Sequence, residues 1–451
     1  MKDKILIKGA RVVCPANGID SKMDVLLESE QIKDIRVNIE ASKNTTTIDA
    51  SGLVLSPGFI DLHCHLREPG FEYKETVASG SAAAAKGGFT TICAMPNTNP
   101  VTDNTTSIQS LLDKAEGQPV RVLPIGSATK NSAGKELTEM AEMVEAGAVG
   151  FSDDGNPIAS DILMRHALEY SSVLGVPIID HCEVPSLFTN GQINEGWVAS
   201  RLGLQGIPAT AEEQMVNRNI ALAKLTGGWV HLAHISTKES VGLIRKAKEL
   251  GIKITAEATP HHLTLTEEAV LHGPRSGSVF KPLTEKAYDT MAKVNPPLRT
   301  DVDVEALIDG LADGTIDIIA TDHAPHAAVE KLCPMQAAAF GISNLETALA
   351  SALSLVHNKK LSLNRMIESM TSSPALLLEN SNHKIGQLSK GFSADVTLVD
   401  LNDDWQVDAG QFVSKGKNSP LHGQKLKGKV VLTIYKGQIV YSELNKDLIS
   451  K

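Results

Sequence analysis

Between Gly58 and Thr321 the chain returns eight times to a short apolar run, and most of the segments between the runs are rich in Ala, Leu, Glu and Lys. The runs are Gly58 to His63, Phe89 to Met95, Val120 to Ile125, Ala148 to Ser152, Val176 to Asp180, Trp229 to His234, Ile252 to Ala256 and Ile316 to Thr321. A run of five to nine apolar residues without alternation suits a strand buried on both faces, as parallel βαβ units require. Eight such units predict a (β/α)8 barrel. A doubly wound open sheet is the rival architecture, but the Gly-rich phosphate fingerprint expected of it is absent from the sequence.

The two ends read differently. Strand-like runs at Ile5 to Ile7, Arg11 to Cys14, Asp24 to Leu27 and Gln31 to Ile35, broken by turn residues such as Asn17-Gly18, predict a small antiparallel β unit. Ala394 to Val399, Val430 to Tyr435 and Gln438 to Val440 repeat that style, with Lys436-Gly437 as a tight turn, so the termini are expected to share one sheet. The expected division is 1–56 and 386–451 for the β unit and 57–385 for the barrel. Leu271 to Ala287 has no apolar period and reads as a surface excursion between strands seven and eight. The most apolar long segment, Ala337 to Val356, is interrupted by Asn344 and Glu346 and reads as a buried or amphipathic helix, not a membrane span.

Composition narrows the partners. A net charge of −10 and 4% aromatic residues give a polyanion little to bind or stack on, so nucleic acid is excluded as an expectation. The first apolar run holds three residues before Lys8, too few for a signal peptide, and five scattered cysteines form no zinc-ribbon or redox spacing. A cytoplasmic setting without membrane contact is expected.

Ligand-type residues gather at the ends of the predicted strands. Strand one ends in His63-Cys64-His65, and alternation of side chains along a strand turns both histidines one way and Cys64 the other. Strand four ends in Asp153-Asp154, strand five in His181, strand six in His234 and strand eight in Asp322-His323. Taken singly these have ordinary readings, since a lone histidine is usually structural and Asp-Asp-Gly is usually a turn. Joint occurrence at the catalytic rim of a barrel points instead to a metal site. Imidazoles and carboxylates without thiolate clusters suit zinc or another borderline divalent ion, which acidifies water for attack on an amide-like bond. His231, His261, His262 and His323 are expected beside this site or in the core, and His166, His272, His357, His383 and His422 at the surface. Cys64, Cys93 and Cys182 are expected to pack as small apolar side chains.

Asp61 to Gly70 (DLHCHLREPG), Met95 to Thr98 (MPNT), Asp180 to Glu183 (DHCE), His231 to Ser236, Val294 to Arg299 (VNPPLR) and Ala320 to His326 (ATDHAPH) together resemble the dihydroorotases of the amidohydrolase superfamily. The resemblance implies a barrel with a composite β domain, and interconversion of N-carbamoyl-L-aspartate and (S)-dihydroorotate in pyrimidine biosynthesis. It implies one or two zinc ions, two favoured: His63, His65 and Asp322 at one, His181 and His234 at the other, with Asp322 also shuttling a proton. Many relatives bridge the metals with a carboxylated lysine after strand four. Phe151-Ser152-Asp153-Asp154 has none, and resembles the bacterial branch in which an aspartate bridges; register favours Asp154 over Asp153. For substrate, the resemblance implies Arg67, Asn97 and His326 at the carboxylate, Asn295 at a ring edge, the Phe340-Gly341 backbone at the ring amide, and a contact from His65. A pairing of Arg67 with Glu68 or Glu72 on the surface is the plain alternative. The rival functions are a hydantoinase or allantoinase, and an inactive subunit scaffolding aspartate transcarbamoylase. A homodimer and an aspartate transcarbamoylase are the expected protein partners beside the small-molecule substrate.

Overall fold

The computed structural model describes residues 4–271, 287–381, 383–444 and 448–450. Residues 272–286, and with them nearly all of the predicted Leu271 to Ala287 excursion and His272, lie outside the described residues. Strands Phe59–Cys64, Phe89–Ala94 and Arg121–Pro124 form one parallel set, and Ile178–Asp180, Val230–Leu232, Ile254–Ala258 and Ile318–Ile319 another. Phe151 joins them through parallel bridges to Gly126 and Ile178, and a parallel bridge from Cys64 to His323 closes the ring. The (β/α)8 barrel is therefore present, with a short fourth strand in which Val149 and Ser152 donate to Pro124 O and Gly126 O on one side and Phe151 donates to Pro177 O on the other.

Each strand is followed by an outer helix, beginning with Val77–Lys86 and ending with Ala348–His357. The first starts at a capping box in which Thr76 accepts from the Ser79 backbone, satisfying an N–H that the helix itself leaves unpaired. The last is buried along almost its whole length, as its mostly apolar composition, interrupted only by Ser351, Ser354 and His357, requires. It begins at Ala348, eleven residues later than the apolar stretch suggested. Ala337 to Thr347 is mostly irregular chain instead: Gly341 adopts φ +141°, and a Cβ there would lie 2.7 Å from Ala324.

The termini share one sheet, with strand order Gln438–Ser442, Lys425–Tyr435, Val396–Gln406, Val54–Pro57, Lys4–Cys14, Ile19–Glu28, Gln31–Arg36. It is mixed, not purely antiparallel: Lys4–Cys14 runs parallel to both Thr45–Asp49 and Val54–Pro57. The predicted strands Ile5 to Ile7 and Arg11 to Cys14 are one strand, interrupted by a register shift between Ile7 and Ala10 where Gly9 takes φ +72°.

A buried ion pair fastens this sheet to the barrel. Arg121 Nη1 donates to Asp395 Oδ2 at 3.0 Å and to Thr91 Oγ1 at 2.9 Å, while Asp395 Oδ1 accepts from the Lys436 backbone at 2.8 Å. Asp395→Ala strands the guanidinium in the interior, and a loss of about 3 kcal/mol or more is expected, read from the urea unfolding midpoint. Among the described residues, no helix is long and apolar enough to cross a membrane.

Candidate metal centre and substrate cavity

Because the barrel strands are parallel, the residues at their C-terminal ends meet at one rim. His63 and His65 do face the same way: their Nε2 atoms lie 3.7 and 3.2 Å from Asp322 Oδ1. His63 Nε2 is also 3.3 Å from Asp154 Oδ1. His181 Nδ1 stands 2.9 Å from His234 Nε2, and the rings of His63 and His234 are 5.1 Å apart. Four candidates hold the left-handed backbone that non-glycine residues avoid: Arg67 at φ +62°, Asp154 at +48°, His234 at +32° and Asp322 at +44°. Such strain, of order 1–3 kcal/mol each, persists where the surroundings over-determine the backbone, and it clusters at functional sites.

Ligand atoms of His63, His65 and Asp322 all lie within 4.8 Å of one another, a group able to hold a metal ion. The polar inventory fits that use. His63 Nε2 and His234 Nδ1 are buried without a hydrogen-bond partner, a cost that folded proteins rarely leave standing. His65 Nδ1 faces Asn97 Oδ1 at 2.9 Å, and His63 Nδ1 faces Glu257 Oε1 at 2.8 Å. Each acceptor fixes a proton on Nδ1 and leaves the Nε2 lone pair toward the centre, the arrangement metal-binding histidines use.

The electrostatics call for positive charge. Burial opposes ionisation of Asp154 and Asp322, yet the surrounding histidines outweigh it and hold both carboxyls below their usual range. Burial likewise opposes the Glu257 carboxylate, and His63 and His231 outweigh it. Burial, with the charges of His181 and His63, pushes His234 down to about 3, leaving the neutral imidazole that a metal needs.

Glu257 escapes the sequence reading. It accepts from His231 Nε2 at 3.0 Å and from the His234 backbone at 3.3 Å besides meeting His63. Its only sequence signal is a carboxylate between alanines one residue past the predicted end of strand seven. The neighbouring histidines are structural as expected: His323 Nδ1 accepts from the Asn344 backbone at 3.0 Å, and His262 Nε2 meets Pro296 O at 2.9 Å. His231 and His261 are buried too, as are Cys64, Cys93 and Cys182, while His166, His357, His383 and His422 are exposed.

The two aspartates after Phe151 have separate environments. Asp153 is saturated by Ser127 Oγ and the Thr129 backbone and hydroxyl, away from the histidines. Asp154 joins His63 and takes the Asn97 amide. Asn97 thus spans His65 and Asp154 with its two ends.

Above the centre lies a cavity of about 760 Å³ whose wall includes His65, Arg67, Asn295, His326, Phe340 and Gly341. Arg67 is 9% exposed and pairs with neither Glu68 nor Glu72, since Glu68 meets Lys114 and Glu72 accepts from the Gly70 backbone. Among the described residues its guanidinium hydrogen-bonds only to Pro325 O at 3.3 Å and His326 Nε2 at 3.4 Å. Among the described residues it has no carboxylate within 4.0 Å, although burial opposes its charge. His326 Nε2 also meets Phe340 O at 2.8 Å.

A family profile described as Dihydro-orotase-like matches residues 52–240. The chain is 46% identical over 438 residues to the dihydroorotase of Geobacter sp. (strain M21), covering 97% of this chain and 99% of that one. It is 47% identical over 441 residues to the dihydroorotase of Acetivibrio thermocellus, covering 97% and 99%. Among solved structures, the L-hydantoinase (dihydropyrimidinase) of Arthrobacter aurescens matches with a TM-score of 0.84 at 27% identity over 99% of this chain and 97% of that one. The dihydropyrimidinase of Brevibacillus agri matches at 0.81 with 21% identity, a likeness of fold.

Proposed function

This chain belongs to the dihydroorotase family, and from that premise we propose how its residues divide the work of opening and closing a cyclic amide. The observation that carries the proposal is a buried guanidinium, Arg67, without a carboxylate partner among the described residues, beside a group of two histidines and an aspartate able to hold a metal ion. His63, His65 and Asp322 would hold one zinc, His181 and His234 a second, and Asp154 would bridge them in place of a carboxylated lysine. When bound, the ions supply Lewis acidity, which acidifies water and polarises the scissile carbonyl.

The chain's own groups do the rest. Arg67 pairs the substrate's carboxylate, with His326 and Asn97 completing that end, because a planar guanidinium matches a carboxylate at two points. Asn295 and the Phe340-Gly341 backbone hold the ring amide, and His65 contacts the substrate from the metal side. Asp322, ionised at neutral pH, accepts a proton from the attacking water. As water's oxygen bonds to the ring carbonyl carbon and the C–N bond breaks, Asp322 passes that proton to the departing nitrogen. Ring closure is the reverse, and it consumes a proton because one ionised carboxylate disappears, so lower pH favours dihydroorotate.

The test of the centre is metal content. Zinc measured by mass spectrometry on purified protein is expected at two per chain, falling together with dihydroorotate turnover in His181→Ala and His234→Ala. Asp154→Ala is expected to lose more zinc than Asp153→Ala, whose carboxylate is engaged by Ser127 and Thr129; the opposite order would move the bridge to Asp153.

The division into 1–56, 57–385 and 386–451 is supported by the pairing of Val54–Pro57 with Val396–Gln406. A cytoplasmic setting is supported by five free cysteines. A homodimer and association with aspartate transcarbamoylase belong to the same proposal, checked by size-exclusion chromatography with and without that enzyme.

A further inference from the structure

The DHCE segment contains two acids that the reaction above leaves unused: Asp180, which accepts from Asn219 Nδ2 at 2.6 Å, and Glu183. Glu183 is 7% exposed on the cavity wall, and among the described residues no lysine or arginine lies within 4.0 Å of it. Its Oε2 meets two groups at once, His181 Nε2 at 3.4 Å and Asn295 Nδ2 at 3.2 Å. Those two are themselves 3.2 Å apart. His181 therefore has two choices. With the proton on Nε2 it donates to Glu183, and the Nδ1 lone pair faces His234. With the proton on Nδ1, the bare Nε2 accepts from Asn295, and the atom facing His234 is lost as a ligand. A carboxylate only accepts, and a charged acceptor binds more strongly than a neutral contact, so Glu183 selects the first state.

The same oxygen fixes Asn295. With the amide NH2 drawn to Glu183, the Asn295 Oδ1 is turned away, and that atom is buried without a partner. Asn295 lines the cavity, so the orientation of its amide decides whether a donor or an acceptor is presented to a bound ring. We propose that Glu183 is a positioning residue that sets the His181 tautomer and the Asn295 amide orientation together, coupling metal binding to recognition of the substrate ring. This rests on the dihydroorotase reading for the identity of the ring, whereas the metal half stands on the histidine geometry alone.

The test measures zinc affinity by chelator competition and KM for dihydroorotate in wild type, Glu183→Gln, Asn295→Ala and the double variant, with thermal unfolding as the check on folding. Glu183→Gln is expected to weaken the zinc assigned to His181 and His234 by roughly 10-fold or more and to raise KM. Asn295→Ala added to it removes the donor that rewards the wrong tautomer, so zinc affinity is expected to recover in part. Nitrogen-15 NMR of zinc-free protein, at a pH high enough for His181 to carry a single ring proton, is expected to show that proton on Nε2 in wild type and on Nδ1 in Glu183→Gln. Unchanged zinc affinity and an unchanged tautomer would overturn the proposal. If the wild type does not open dihydroorotate, the family reading fails, and the zinc and NMR results still decide the role of Glu183.

Discussion

Asp322→Asn is expected to keep the fold and much of the metal while losing on the order of 10²-fold or more in kcat. The amide is isosteric and can still offer an oxygen to the centre, but it cannot take up a proton. In the structure Asp322 lies 3.2 Å from His65 Nε2 and 3.7 Å from His63 Nε2, on a backbone strained to φ +44°. The histidines outweigh burial and hold its pKa below the usual range, so the ionised form is ready at neutral pH, and the acid formed on protonation gives its proton up readily to the departing nitrogen. Steady-state rates with zinc content measured on the same samples check this. Near-normal turnover in Asp322→Asn would remove the proton shuttle from the account and leave Asp322 as a ligand only.

Arg67 carries the second large effect. A buried guanidinium without a carboxylate within 4.0 Å is costly until a ligand supplies the charge, and that cost becomes selectivity for rings bearing a carboxylate. Arg67→Lys keeps the charge but loses the planar fork, so kcat/KM for dihydroorotate is expected to fall roughly 10-fold or more. Arg67→Met is expected to fall further, with zinc content unchanged in both variants. A parallel loss of zinc would mean that Arg67 supports the centre and not the substrate.

What was legible in the sequence follows from the range of the interactions involved. The barrel strands were readable because burial on both faces writes itself into consecutive apolar residues. Ala148 to Ser152 read like any other run, and Val149 to Ser152 do hydrogen-bond to Pro124, Gly126, Pro177 and Ile179 on the two neighbouring strands. The parallel partnership of Lys4–Cys14 with Thr45–Asp49 left no local mark, so the terminal unit read as purely antiparallel. His63, His65, His181, His234 and Asp322 were readable because they stand at strand ends, and a parallel barrel brings all such ends together. Glu257 stands on a strand that reaches two residues beyond the predicted run, and its role depends on His63 and His231, which no spacing connects to it. The burial of Arg67 was equally invisible, because it is made by Pro325 and His326, more than 250 positions away.

The fold alone does not separate a dihydroorotase from a hydantoinase, since the solved hydantoinases share it; the sequence relatives do. The most direct measurement is the kcat/KM of the zinc-loaded wild type for dihydroorotate against dihydrouracil, the ring without a carboxylate. The site described here predicts ready opening of dihydroorotate and poor use of dihydrouracil; equal use of the two rings would contradict it.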